Sequence, residues 1–300
     1  MTAPDYRARM IPVRGGELAV GSWGPEEGPT ILAVHGVTAS HMTWPYLSEA
    51  LPGVRIIAPD LRGRGRSNRL PGPYGMPSHA DDLAAVLDAF GVERPVVVGH
   101  SMGGFASVVF AHRHPERVAE LVLVDGGLPL TVPEGMSDAD FTRAVLGPAQ
   151  ERLSMTFPTR AAYVEFWKEH PAFADDLNDV VLDYIDYDLD GSEPELRPST
   201  SYQAVAEDSA ELSGSDSVMS ALTGMTHDAT FLRAPRGLMN AAPLYTSEQV
   251  AGWAERFPRI STLEVDDVNH YTIVLGGRGA REVAAVVQDA LARAEKKAGV

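Results

Sequence analysis

Gly99-His100-Ser101-Met102-Gly103 sets a serine between two glycines, directly after the apolar run PVVV and before the helix-like FASVVFAHRHP. Gly-x-Ser-x-Gly at a strand-to-helix junction is the pattern of an exposed nucleophile. The glycines have a steric reason. A serine thrust out on a sharp turn has strained backbone angles, and side chains two residues away would collide with the adjoining strand and helix. The turn aims the next backbone N–H, that of Met102, at a substrate carbonyl, and the helix N-terminus favours a developing anion. A hydroxyl is a poor nucleophile without a base. Among nine histidines, His100 lies within the turn and is predicted to point away from the reacting face. His112 and His114 sit at a helix end, where histidine caps are common. His41, His79, His170 and His227 have no pattern around them. His270 stands apart, in a loop between the strand-like STLEVDDV and the last helix. The run LVLVDGG poses a further question: Asp125 either punctuates a buried strand or takes part in the chemistry.

These residues need elements to hold them. Thr30–Gly36, Val54–Asp60, Pro95–Ser101 and Leu121–Gly127 are short, Val/Leu/Ile-rich and closed by Gly, Asp, His or Ser, as strands of a parallel sheet covered on both faces must be. His79–Gly91 and Phe105–Pro115 carry helical periodicity between them. The alternation predicts an α/β fold, preceded by a hairpin turned at Gly15-Gly16. The rhythm breaks at Leu128. Helix-like, aromatic-containing stretches follow at 155–173, 175–189 and 201–212, and the rhythm returns at Pro235–Pro243 and Ile260–Thr272 before a long amphipathic helix. The predicted organisation is a core of residues 1–127 and 229–300 interrupted by a helical insertion, 128–228.

Composition narrows the functions. The chain has 300 residues, 44% of them hydrophobic and 22% charged, as in a soluble globular protein. It has no cysteine, which excludes disulfides, thiolate metal sites and a cysteine nucleophile. The net charge of −16 is concentrated in 128–228, with 20 Asp and Glu against 5 Lys and Arg. Such a segment disfavours nucleic acid, anionic lipid and polyanionic substrates, unless it merely solvates exposed helix faces. Neither an 18-residue apolar run nor a signal-peptide core is present, so the expectation is a cytoplasmic protein with no membrane partner.

The chain resembles the α/β-hydrolase fold family. GHSMG, HGVTAS (His35–Ser40), DLRGRGRS (Asp60–Ser67) and VNHYT carry the resemblance, which covers essentially the whole chain. These motifs are specific for the fold and poorly specific for the substrate. The resemblance implies a mostly parallel sheet between helical layers, with the insertion as a cap. It implies Ser101 as nucleophile and His270 as general base and acid. It also implies an oxyanion hole from the amides of Val37 and Met102, one such donor being worth ~3 kcal/mol of barrier. His35 would brace its loop and is a candidate pocket residue. The arginine-rich run would be a turn beside the site rather than a phosphate cradle.

In most of the family the third residue, an acid, stands about thirty residues before the histidine. Here that place reads RGLMNAAPLYT and holds no carboxylate; Asn240 occupies it, and Glu248 looks already inside the next helix. A minority carry the acid one strand earlier, which is Asp125 in this chain. Asn240, Glu248, Asp266 and Asp267 remain the alternatives. Met155, Phe157, Phe166 and Trp167 are candidates for a pocket roof, with Tyr163 and Phe173 in the same stretch; the alternative is packing among themselves. The leading function is a cofactor-independent serine hydrolase of a carboxylic ester or lactone, without metal, acting on a small, neutral, largely apolar molecule through an acyl-enzyme. C–C bond or thioester hydrolysis on the same residues, and a slow-turnover receptor, are the alternatives.

Overall fold

The computed structural model describes residues 5–132, 134–174 and 176–299; the first four residues and position 175, which the sequence analysis touched, lie outside them. Eight strands form one sheet: β1 (Arg7–Val13), β2 (Gly16–Trp23), β3 (Thr30–Val34), β4 (Arg55–Pro59), β5 (Val96–His100), β6 (Glu120–Val124), and, beyond a short two-stranded ribbon of β7 (Leu189–Asp190) and β8 (Arg197–Pro198), β9 (Ala229–Arg233) and β10 (Ile260–Glu264). Their order is β1-β2-β4-β3-β5-β6-β9-β10. The hairpin β1–β2 joins β4 antiparallel, and every pair from β4 to β10 is parallel.

Alternation along the strands builds two cores. Leu32, Val34, Val97, Leu121 and Leu123 face one side, while Ile31, Ala33, Val96, Val98, Val122 and Val124 face the other. Helices α1 (Pro45–Ala50), α2 (Met76–Phe90) and α3 (Met102–Arg113) follow their strands in turn. The insertion between β6 and β9 comprises α4 (Asp138–Leu153), α5 (Arg160–Lys168), α6 (Asp179–Tyr187), α7 (Tyr202–Ser209) and α8 (Asp216–Thr223). The last helices are α9 (Ser247–Arg256), α10 (Thr272–Leu275) and α11 (Gly277–Ala298). Helices α2, α3 and α9 cover the first face; α1, α10 and α11 cover the second.

Two expectations shift. The strand that resumes the sheet is Ala229–Arg233, and 235–243 is loop. Its ATFLR is buried and apolar enough for a strand, but it was hidden behind the polar end of the insertion. Helices α4 and α8 were not marked out in the sequence: α8 has no aromatic residue and α4 only Phe141. Among the described residues no helix is long and apolar enough to cross a membrane.

Candidate active site

Four strands end side by side, and the residue after each bears a polar side chain: His35 after β3, Asp60 after β4, Ser101 after β5 and Asp125 after β6. A parallel sheet gathers such residues along its carboxyl edge. Ser101 has φ 55° and Asp125 φ 47°, conformations that cost about 1–3 kcal/mol each and need a rigid frame. The glycines around Ser101 supply part of it. A Cβ at Gly99 would overlap the backbone of Gly103, and one at Gly103 would overlap the carbonyl oxygen of Val34. The steric argument for GHSMG is therefore met atom by atom.

Asp125 is fully buried. Its backbone N–H donates to the Leu232 carbonyl at 2.7 Å, and its Oδ1 accepts from the Ala234 N–H at 3.1 Å. Its Oδ2 lies 2.7 Å from His270 Nδ1, and His270 Nε2 lies 3.0 Å from Ser101 Oγ. Donation from Nδ1–H to the carboxylate leaves Nε2 free to accept the serine proton. The histidine loop is held by its neighbour. Asn269 Oδ1 accepts from the amides of Tyr271 and Thr272, both at 2.9 Å, and its Nδ2 donates to Ala172 at 2.9 Å.

The other candidates for the third position stand elsewhere. Asn240 is exposed and its Oδ1 accepts from Asn269 Nδ2 at 3.3 Å. Glu248 is exposed in the first turn of α9, and Asp267 faces Arg236 and Arg278.

Met102 opens α3, so its N–H is among those the helix cannot satisfy internally. Val37 lies across from it, bordering the two cavities that flank Ser101. Its carbonyl accepts from Arg64 Nε at 2.9 Å. That fully buried guanidinium also contacts Met102 Sδ at 3.6 Å and pairs with Asp208 of α7. Sequence reasoning missed this tie, and no local signal marks it, since Asp208 lies 144 residues further along the chain. Its neighbours are engaged as well: Arg62 makes two bonds to Asp82, at 3.0 and 2.7 Å, and Arg66 lies over the Tyr187 ring at 4.5 Å.

The structure corrects several pocket residues. His35 borders neither cavity: its Nδ1–H donates to the Gly36 carbonyl at 2.8 Å and its Nε2 accepts from the Leu61 N–H at 2.9 Å. Burial lowers its pKa to about 3, so it is a neutral brace. Met155 is exposed, while Phe157, Phe166 and Trp167 pack with Tyr163 and Phe173 as a core within the insertion. None of the four borders either cavity: Met155 faces out, and the three rings pack on one another and, through Trp167, against the back of Tyr271. His100 is also corrected. It borders the first cavity, its ring 4.8 Å from that of His270, and its Nε2–H donates to the His270 carbonyl at 2.8 Å. Burial, and then the neighbouring His270, hold its pKa well below the usual value.

The walls come instead from Thr38, Thr43, Tyr184, Tyr271 and Val274 on one side, and from Phe105, Leu130, Leu212, Leu244 and Tyr245 on the other. Each cavity measures about 20 Å³, room for little more than one water.

A family model described as alpha/beta hydrolase fold matches residues 29–187. The chain is 40% identical to Lipase LipV of Mycobacterium tuberculosis over 114 residues, 38% of this chain and 43% of the relative. It is 33% identical to the bifunctional esterase/perhydrolase DCH of Acinetobacter calcoaceticus over 164 residues, 53% and 56% of the two chains. The chain thus spans about half the length of the curated relatives it matches. Among solved structures it is similar to E-2-(acetamidomethylene)succinate hydrolase, with a TM-score of 0.78 at 20% identity over 95% of this chain and 99% of that one. That likeness is one of fold.

Proposed function

The chain belongs to the α/β-hydrolase fold family, and from that premise we propose that it is a serine hydrolase of an uncharged carboxylic ester or lactone. The observation that carries the reading is the unbroken line from Asp125 through His270 to Ser101, at 2.7 and 3.0 Å. In this reading Ser101 Oγ attacks the carbonyl carbon as His270 Nε2 takes its proton. The amides of Val37 and Met102 hold the oxyanion. His270 then gives the proton to the leaving alcohol, and the acyl group stays on Ser101. Water, deprotonated by the same imidazole, attacks the acyl carbon; the acid leaves and Ser101 recovers its proton. Asp125 keeps the imidazole in one tautomer and stabilises the imidazolium, without taking the proton.

The relatives named lipase and esterase support an ester over a C–C bond or a thioester. Another similar chain is named Epoxide hydrolase B; a serine at the elbow here disfavours opening an epoxide through an aspartyl ester. The insertion acts as a cap in this reading, because Leu146 of α4 and Tyr184 of α6 close the cavities over Ser101.

A fluorophosphonate probe tests it without knowledge of the substrate. Rapid covalent labelling of the wild type, absent in Ser101→Ala, is the expected result. A folded wild type that stays unlabelled by both small and large probes overturns the reading.

A further inference from the structure

Five residues border both cavities: Val37, Ser101, His270, Leu146 and Leu238. Three belong to the reacting group and its oxyanion amide. The other two are aliphatic, one from the insertion and one from the loop after β9. That loop carries no carboxylate, since the bond to His270 comes from Asp125 on β6. It brings Leu238 to the border of both cavities, packed against both hydrophobic layers of the molecule.

The loop is built to hold this leucine still. Gly237 N–H donates to the Ala241 carbonyl at 3.2 Å, and Asn240 N–H to the Gly237 carbonyl at 3.0 Å. A Cβ at Gly237 would overlap the Ala242 carbonyl oxygen. Arg236 pairs through its backbone with Asn269, beside His270. Leu238 thus stands in fixed relation to the imidazole that serves the leaving group.

Resting on the hydrolase reading above, we infer that Leu238 is the partition between the acyl and alkoxy arms of the substrate, and that it selects compact, uncharged acyclic esters. An ester bound at Ser101 must send one arm to each side of its carbonyl, and a cavity lies on each side. At about 20 Å³ each they take a methyl-sized group, so every further methylene has to spread the walls, and neither is bordered by a lysine or arginine among the described residues. The second cavity is walled by Phe105, Leu130, Leu212 and Leu244, which suit an alkyl arm; the first adds Thr38, Tyr184 and Tyr271, which suit a more polar one. One methylene in such a pocket discriminates by about 10-fold or more.

Two ester series test this, followed by proton release: methyl esters of acids from acetic to octanoic, and acetates of alcohols from methanol to octanol. In the wild type kcat/KM is expected to fall along both series. Leu238→Ala is expected to raise the longest members relative to the shortest by at least about 10-fold in both, because the partition is shared. Leu212→Ala, which opens one cavity, is expected to shift one series. If Leu238→Ala folds poorly, Leu238→Val gives a smaller shift in the same direction and Leu238→Phe the opposite shift. An unchanged profile in the Leu238 variants, or a shift confined to one series, overturns the inference. If no ester turns over but Ser101 labels, fluorophosphonates with methyl to octyl arms read the same partition. Absence of Ser101 labelling is a separate result: it removes the hydrolase reading and this inference together.

Discussion

Two buried histidine–aspartate pairs lie along the same sheet edge, and they have nearly the same geometry. His270 Nδ1 is 2.7 Å from Asp125, and His41 Nδ1 is 2.8 Å from Asp60. All four side chains are almost fully buried. What differs is the far side of each ring. His270 Nε2 meets Ser101 Oγ at the junction of two cavities, whereas His41 Nε2 meets the Tyr6 hydroxyl at 2.8 Å. Burial, and then the Asp60 charge, raise the Tyr6 pKa, so that proton stays on the phenol. The carboxylates differ too. Asp60 also accepts from the His41 and Arg66 amides and the Tyr187 hydroxyl, at 2.8, 2.8 and 2.7 Å. Beyond its histidine, Asp125 accepts from the Ala234 amide. A saturated carboxylate is a strut. Under the proposed function, the pair that serves the chemistry is the one whose histidine faces a strained serine with space before it.

The sharpest way to break this comparison is to amidate both acids. Asp125→Asn keeps the volume and the bond from Ala234 but lets the imidazole take the wrong tautomer. Fluorophosphonate labelling is expected to slow by about 10⁴-fold, with the urea midpoint little changed. Asp60→Asn is expected to do the reverse. It disrupts a buried pair at a cost of about 3–5 kcal/mol, while labelling of the folded fraction stays within about threefold of wild type. Equal loss of labelling in both variants would erase the distinction between strut and machinery.

The two pairs were not equally legible in the sequence. Ser101 declared itself because its glycines and flanking apolar runs are local signals, and the strands TILAV, VVVGH and ELVLV followed from the same apolar continuity. His270 was readable as a loop residue before the last helix, and Asp125 through the empty place at RGLMNAAP together with the family resemblance. His41 offered nothing local, since its partner is 19 residues away on another strand end. The pocket walls were harder still. Trp167 and Phe157 advertise themselves by size, yet large rings satisfy one another; Leu146, Leu212 and Leu238 reach the cavities through the path of three separate segments. No periodicity records which leucine a loop turns inward.

His35 lies between the two pairs and sharpens the comparison by pH. Burial puts its folded-state pKa at about 3, against 6.5 for the free side chain. The unfolded chain therefore takes up the proton first. The stabilisation is complete above pH 6.5 and drains as pH falls toward 3. Between pH 7 and 4.5 this one residue is expected to withdraw about 3 kcal/mol. His35→Gln, which keeps an amide donor and acceptor, should shrink the difference in urea-unfolding free energy between those pH values by that amount. An unaltered pH dependence would mean that His35 is not held neutral.

His100 tests the machinery from behind. Its Nε2–H fixes the His270 carbonyl, so His100→Phe is expected to slow labelling on the order of 10-fold through loss of alignment. His100→Gln, which restores an N–H near the same place, should recover most of it. A Phe variant as fast as wild type would show that Asn269 alone holds the loop.

An effect of similar size, on stability alone, belongs to the strut. Tyr187 ends α6, and its hydroxyl carries the insertion's bond to Asp60. Removing it in Tyr187→Phe leaves the ring under Arg66 and the bonds from His41 in place. The expected cost is about 1.5 kcal/mol, the worth of a hydrogen bond to a charged group, read from the urea midpoint. Labelling should not move, because Asp60 borders neither cavity beside Ser101. If instead labelling changes while stability does not, the second pair is coupled to the first through the loop from Asp60 to Arg64. The two histidine–aspartate pairs would then form one device rather than a strut and a site.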